Sequence, residues 1–255
     1  MKTPKAAPPP NRSLERGVEI LRAFRPGADL LGNGELAERT HLSRATVSRL
    51  TQTLVATGLL EHDRKARAYR LAAPVLSLAH AMRSGSPVLQ AAAPMMRKTA
   101  EKLRVNVGLA VADRDEMVYL ESVRYNRKVS LRNVVAGQRV PIELTSLGRA
   151  YVSALPHEAR KRLLIHLRKR RPSDWAGIEQ EIQQAVSSVH EKGYCFASWQ
   201  PEVVAVAAPI AVDGHPIYVV NISVATTSPV KRVVAELSPP LMILVEKIRE
   251  AITNL

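Results

Sequence analysis

The chain has 255 residues, and its 37 Lys+Arg against 23 Asp+Glu give a formal net charge of +14. That bias suits a polyanionic partner without establishing one. A single cysteine, Cys195, excludes an internal disulfide, and no apolar run reaches the roughly 20 residues of a membrane span, so a reducing, cytoplasmic setting is expected.

The opening MKTPKAAPPPNR lacks the apolar centre of a signal peptide, and its four prolines predict a disordered arm over residues 1–11. From Ser13 to Phe24, Leu14, Val18, Ile20, Leu21 and Phe24 recur at helical spacing, with Ser13 as N-cap and Pro26-Gly27 as the stop. A short helix follows over Asn33–Thr40, turning Leu36 and Ala37 inward. Ser43 caps a third helix running to Thr57, with Gly58 at C′. The stretch LLEHDRKARAYRLA reads as strand, charged turn and return strand, closing a first domain over 12–72.

Pro74 opens a helix, VLSLAHAMRS, read as a linker over 73–86. Residues 87–255 mix helices with hairpin strands. Helix 88–103 leads into VNVGLAVA and MVYLESVR, joined by Asp113-Arg114-Asp115-Glu116, and KVSLRNVV predicts a third strand. Helices are expected near 145–155, 157–170 and 174–192, the last stopped by Gly193. The strands CFAS, VVAVAAPIAV and IYVVNISVAT follow, the last two turned by Asp213-Gly214. A C-terminal helix broken at Pro239-Pro240 ends the chain. This order predicts an α+β fold with a mostly antiparallel sheet.

Residues 43–57 carry the first functional signal. On a helical wheel, Val47, Leu50 and Leu54 fall within about 60° of one another and form the expected buried stripe. The outward side holds Ala45, Ser48, Arg49 and Gln52, with Arg44 and Thr46 on its flanks and Ser43 at its start. Small residues there permit close approach to base edges, and arginine can contact guanine through two hydrogen bonds. No carboxylate lies between Ser43 and Leu60, whereas a plain solvated face mixes acid with base. Ala37, His41, Leu42, Val47 and Leu50 match a helix-turn-helix, with His41 at a turn position usually held by glycine. Histidine tolerates the left-handed conformation better than most residues. Arg64, Lys65 and Arg67 then form a wing suited to DNA backbone or minor groove.

The stretches LERGVEILRAF, ELAERTHLSRATVSRLTQTLVATGLLEHD, YRLAAPVLSLA, VPIELTSLGRAYVSALP, EKGYCFAS and VVAVAAPI resemble the isocitrate-lyase-regulator (IclR) family of bacterial transcription factors over residues 12–252. The resemblance implies a winged helix-turn-helix, a linker helix and a GAF-like α/β effector domain over 87–255. It also implies dimers, or dimers of dimers, on palindromic double-stranded operators near catabolic genes. By position in TSLGRA, it implies that the backbone amides of Ser146 and Leu147 hold a ligand carboxylate. Free N–H groups at a helix start favour an anion, although a plain helix cap accounts equally for the serine. Asn221 and Ser223 match a second family pair, and strand alternation points both to one face. Hydrogen bonds to neighbouring backbone are their other reading.

CFASWQPEVVA is shorter than the family's segment and lacks an acid often found there, which leaves Ala197, Ser198 and Trp199 in its place. Trp199 suits the wall of an aromatic ligand site and the core alike. Cys195 reads as a small buried residue. Arg132, on the KVSLRNVV strand, reads as exposed. ARKRLLIHLRKRRP carries seven basic residues and no acid, and is read as a solvated face ahead of a second DNA contact. No metal-ligand spacing, phosphate loop or nucleophile motif is present, so neither cofactor nor catalysis is expected. Two other readings compete with a ligand-responsive regulator: a DNA-binding protein without an effector, and an enzyme built on 87–255.

Overall fold

The computed structural model describes residues 11–125, 135–200 and 202–255. KVSLRNVV except for Val135, Arg132 within it, and the arm apart from Asn11 lie outside the described residues. The chain divides into two compact units that meet at Gly85 and Ser86.

In the N-terminal unit, α1 (Arg12–Ala23), α2 (Asn33–Thr40) and α3 (Arg44–Ala56) pack around Ile20, Phe24, Leu31, Leu36, Val47, Leu54, Leu60 and Tyr69. Sequence reasoning put the first N-cap at Ser13. Asn11 takes that place, its side-chain oxygen accepting the N–H groups of Ser13 and Leu14 at 3.0 and 3.2 Å. Both are good caps, and the one two residues earlier satisfies two of the orphan donors. Leu14 and Val18, expected on the apolar face, are 68% and 41% exposed.

Glu35 reaches back to accept the Gly32 N–H at 2.9 Å, which starts α2. His41 ends it at φ 55°, in the left-handed region anticipated for the turn. Gly58, at φ +74°, ends α3: its N–H bonds Val55 O and the Leu59 N–H bonds Leu54 O, the paired pattern that closes helices on glycine.

The buried stripe of α3 differs from the expected one. Thr51 is fully buried and Leu50 only partly so. The Thr51 hydroxyl donates to the helix carbonyls of Val47 and Ser48, which removes the cost of burying it. β2 (Leu60–Asp63) and β3 (Ala68–Leu71) form the hairpin. A two-residue strand, β1 (Leu31–Gly32), adds to β3 in the order β1-β3-β2. That extra strand is too short to show periodicity. α4 (Pro74–Ser84) closes the unit with no buried residue.

The second unit starts with α5 (Pro87–Leu103). Its sheet comprises β4 (Asn106–Asp113), β5 (Glu116–Val123), β6 (Arg139–Pro141), β7 (Cys195–Ala197), β8 (Val203–Ile210) and β9 (Tyr218–Ala225). The order is β6-β5-β4-β9-β8-β7 and every pairing is antiparallel. The fold is therefore α+β. One core, centred on Met96, Leu109, Val206, Leu241 and Ile248, lies under α5 and the C-terminal helix α9 (Val230–Thr253). The other, centred on Ile142, Leu147, Ile182 and Val219, includes residues of α6 (Ser146–Ala154), α7 (His157–Arg170) and α8 (Trp175–Lys192).

α9 runs unbroken through Pro239 and Pro240, contrary to the expected interruption. The prolines free the carbonyls of Ala235 and Glu236, both exposed residues that water can satisfy. Val233, Leu237, Leu241, Leu244 and Ile248 meanwhile bury one continuous face. Tertiary packing outweighs local propensity here.

The acids of the β4–β5 turn are engaged. Arg139 donates to Glu116 at 2.7 Å and pairs with Asp113 at 2.6 Å, and Arg170 pairs with Asp115. Arg171 donates to the buried Glu143 at 2.6 Å. Arg160 donates to the carbonyls of Ser153 and Leu155 at 3.1 and 3.2 Å, so three of the seven basic residues near α7 tie the helix to the fold, while Lys161, Arg162, Arg168 and Lys169 stay exposed.

Candidate DNA face and effector cavity

The N-terminal unit presents the positions singled out on α3. Ser43 accepts the Thr46 N–H at 3.3 Å and shares a 2.9 Å hydroxyl contact with Thr46, fixing the start of the helix. Ser43, Arg44, Ala45, Arg49 and Gln52 are exposed, and Thr46 and Ser48 are partly exposed. Arg64, Lys65 and Arg67 are exposed in the β2–β3 turn, where Arg67 adopts φ +51°. The Ala66 N–H donates to Asp63 at 3.0 Å and Arg70 pairs with the same carboxylate. The Ala66 bond foremost, aided by Arg70, holds that carboxyl below its ordinary value. The Asp63 charge is thus engaged by the turn backbone and by Arg70, and Arg64, Lys65 and Arg67 remain exposed beside it.

In the second unit, strand register explains how distant residues meet. Cys195 lies opposite Ala207, Ala207 opposite Asn221, and Asn221 opposite Gly108. Two residues along, Ala197, Ala205, Ser223 and Asn106 form the next row. Val203 and Ala225 stand in the third. Alternation turns each row to the same face. The small residues in these rows leave a hollow instead of a packed layer.

Gly108 is required for it. A Cβ there would lie 2.4 Å from the Tyr119 ring and 2.5 Å from Asn221 Oδ1. The buried Asn221 amide donates to Tyr119 Oη at 3.5 Å, and burial pushes the Tyr119 phenol up to about 12.

The start of α6 covers the first row, and Cys195 Sγ contacts Ser146 O at 3.5 Å. Gly148 makes the approach possible: a Cβ there would come within 2.2 Å of the Ile142 backbone. Thr145 caps α6, accepting the Gly148 N–H at 3.2 Å and donating to Pro141 O at 2.8 Å. Ser146 and Leu147 are the first two helical residues, whose N–H groups have no acceptor within a helix.

The resulting cavity has a volume of about 450 Å³. Ser146, Leu147, Trp199, Asn221 and Ser223, proposed from sequence, all line it. Its walls also include Asn106, Tyr119, Gln138, Arg104 and Arg124, which sequence reasoning missed. Their only signal was a strand pairing that one sequence does not display. Trp199 is half-buried, packs against the α6–α8 core, and also borders a second hollow lined by Arg149 and Glu181. It is therefore neither a fully buried core residue nor a free surface one, but a partly buried side chain on the cavity's border. Cys195 is buried, and burial pushes its thiol up to about 12 despite the nearby Arg149.

Two family models match the chain: the IclR helix-turn-helix domain over residues 13–64, and the bacterial transcriptional regulator IclR C-terminal domain over 80–251. The HTH-type transcriptional regulator TsaQ1/TsaQ2 of Comamonas testosteroni is 34% identical over 183 residues, covering 71% of this chain and 66% of that protein. The crystal structure of an IclR-family regulator from Brucella abortus superimposes with a TM-score of 0.87 at 33% identity, covering 94% of this chain and 92% of the other. An IclR homologue from Microbacterium hydrocarbonoxydans, solved with 4-hydroxybenzoate, shares the fold at 20% identity and a TM-score of 0.71, over 95% and 100% of the two chains. The chain belongs to the IclR family of bacterial transcriptional regulators. It is a DNA-binding regulator.

Proposed function

We propose that this regulator reads a palindromic operator with the outward face of α3 and responds to a carboxylic acid held at the start of α6. Ala45, Ser48, Arg49 and Gln52 would meet base edges, with Ser43, Arg44 and Thr46 at the adjoining backbone. Arg64, Lys65 and Arg67 would contact backbone or minor groove. In the cavity, the Ser146 and Leu147 amides would bind the carboxylate, Asn221 and Ser223 would orient the ligand, and Trp199 would flank an aromatic ring. The observation that carries this reading is the convergence of five positions from separate segments on one cavity headed by a helix N-terminus. The 4-hydroxybenzoate bound by the Microbacterium relative supports an aromatic acid. A catabolic operon would be the target.

Function here is binding without turnover; the buried, protonated thiol of Cys195 makes a poor nucleophile. The working assembly is a homodimer or a dimer of dimers in the cytoplasm. The exposed Leu14 and Val18 on α1, and Leu76, Leu78 and Met82 on α4, support self-association. Effector binding would shift the two DNA-reading units of a dimer and change operator affinity through a coupling of roughly 1–3 kcal/mol.

A thermal-shift screen against aliphatic and aromatic carboxylic acids tests the cavity. A ligand at 100 times its Kd adds about 2.7 kcal/mol to the stability of the unit that binds it. Stabilisation by one chemical class, with a matching change in operator affinity, is expected. Silence across the panel would sink the carboxylate reading and leave effector-independent DNA binding in its place.

A further inference from the structure

The cavity is charged at its far end as well. Its rows run along β9 from Asn221 through Ser223 to Ala225. Four residues of strand span about 13 Å. The amides of α6 lie at the Asn221 end, as the Cys195 contact with Ser146 fixes. At the Ala225 end stand Arg104, two residues before Asn106, and Arg124, directly after β5. Val107 is paired with Val123, which brings the two arginines to neighbouring strand ends, and both line the cavity. Burial dominates the upward shift of the Tyr119 phenol, and the Asn221 hydrogen bond and the charge of Arg124 oppose it. Arg104 is held at φ +58° where α5 passes into β4, so a left-handed turn sets the direction in which its side chain departs. Glu202 is the carboxylate of this rim among the described residues. Among the described lining residues, two guanidinium groups stand against one carboxylate at this end.

We propose that the effector carries two anionic groups, one on the α6 amides and the other on Arg104 and Arg124, with a ring or short carbon chain between them. This rests on the carboxylate reading of the α6 end and adds a selectivity to it. A helix N-terminus offers a partial charge and free N–H groups. Arginine supplies a full charge and paired donors matched to a carboxylate or sulfonate. An acid with one anionic group can engage only one of the two ends.

The experiment is calorimetric titration of the full chain with two matched pairs: hexanoate against adipate, and benzoate against terephthalate. Arg104→Gln and Arg124→Gln variants are titrated alongside. The expected result is at least tenfold tighter binding of the diacid in one or both pairs, with that advantage falling to threefold or less in the Arg104→Gln/Arg124→Gln double variant. Equal binding of monoacid and diacid, or a diacid advantage that survives both substitutions, overturns the second anion site and leaves the α6 site standing. Failure of all four acids to bind overturns both. Far-ultraviolet circular dichroism of each variant, matching the parent, ties any loss to the missing charge.

Discussion

The two units solve recognition in opposite ways. On α3 and the hairpin tip, every residue proposed to meet DNA is exposed or half-exposed, so that reading places specificity in side chains that project outward. In the effector unit the proposed contacts lie in a hollow, and its existence depends on what is missing: Cβ atoms at Gly108 and Gly148, and bulk at Ala205 and Ala207. An outward face tolerates substitution because its side chains contact little of their own fold. A hollow does not, because each wall atom also belongs to a core. The same mutation type should therefore damage the two regions unequally.

Gly148→Val gives the largest expected effect. Its Cβ would meet the Ile142 backbone, which has no flexible side chain to yield, so α6 must move. We expect a loss of about 3 kcal/mol or more of stability in chemical denaturation, with loss of effector binding. Full stability would break the contrast between hollow and face. Arg49→Ala comes next: operator affinity should fall by about 1–3 kcal/mol in a gel-shift titration, with the melting temperature unchanged. Unaltered affinity would remove α3 from the proposed interface.

Ser146→Pro sharpens the cavity reading. Proline is accepted at the first helical position, where it removes the N–H together with the hydroxyl, and Thr145 at φ −102°, ψ 152° already has the extended conformation a following proline demands. Affinity for a bound acid should drop by about 1.5–3 kcal/mol, while Ser146→Ala should change it little. Equal effects from both variants would assign the role to the hydroxyl.

Smaller still is the alkaline response. Cys195 and Tyr119 have folded values near 12, above their unfolded ones of 9.0 and 10.0. Their contribution to stability is thus complete below about pH 9 and is lost as pH rises towards 12. Urea melts between pH 8 and 11 should show that decline, reduced in Cys195→Ala. At the low end, Lys65→Ala should weaken binding evenly across DNA sequences and lower the salt slope by about one.

Much of this protein was legible locally. The cap at Ser43, the left-handed His41, the Gly58 stop and the acid-free face of α3 are properties of short segments, because helix periodicity and capping act within a few residues. The effector positions were half legible. Ser146 and Leu147 belong to one helix start, and Asn221 and Ser223 to one strand, so their facing could be read along the chain.

That these segments share a cavity with Arg104, Tyr119 and Arg124 follows from strand pairing between residues up to about a hundred positions apart, which has no local signature. Tertiary packing also decided the points where local rules failed. Thr51 took a core place because its hydroxyl could bond within its own helix. α9 stayed whole across two prolines because the apolar face it buries outweighs two hydrogen bonds whose carbonyls water can reach. By itself the sequence determined most of the helices and hairpins, the exposed basic face proposed for DNA, and the helix start that heads the cavity. Only the folded chain decided the cavity's length and the charge at its far end, since both arise from which strands lie side by side.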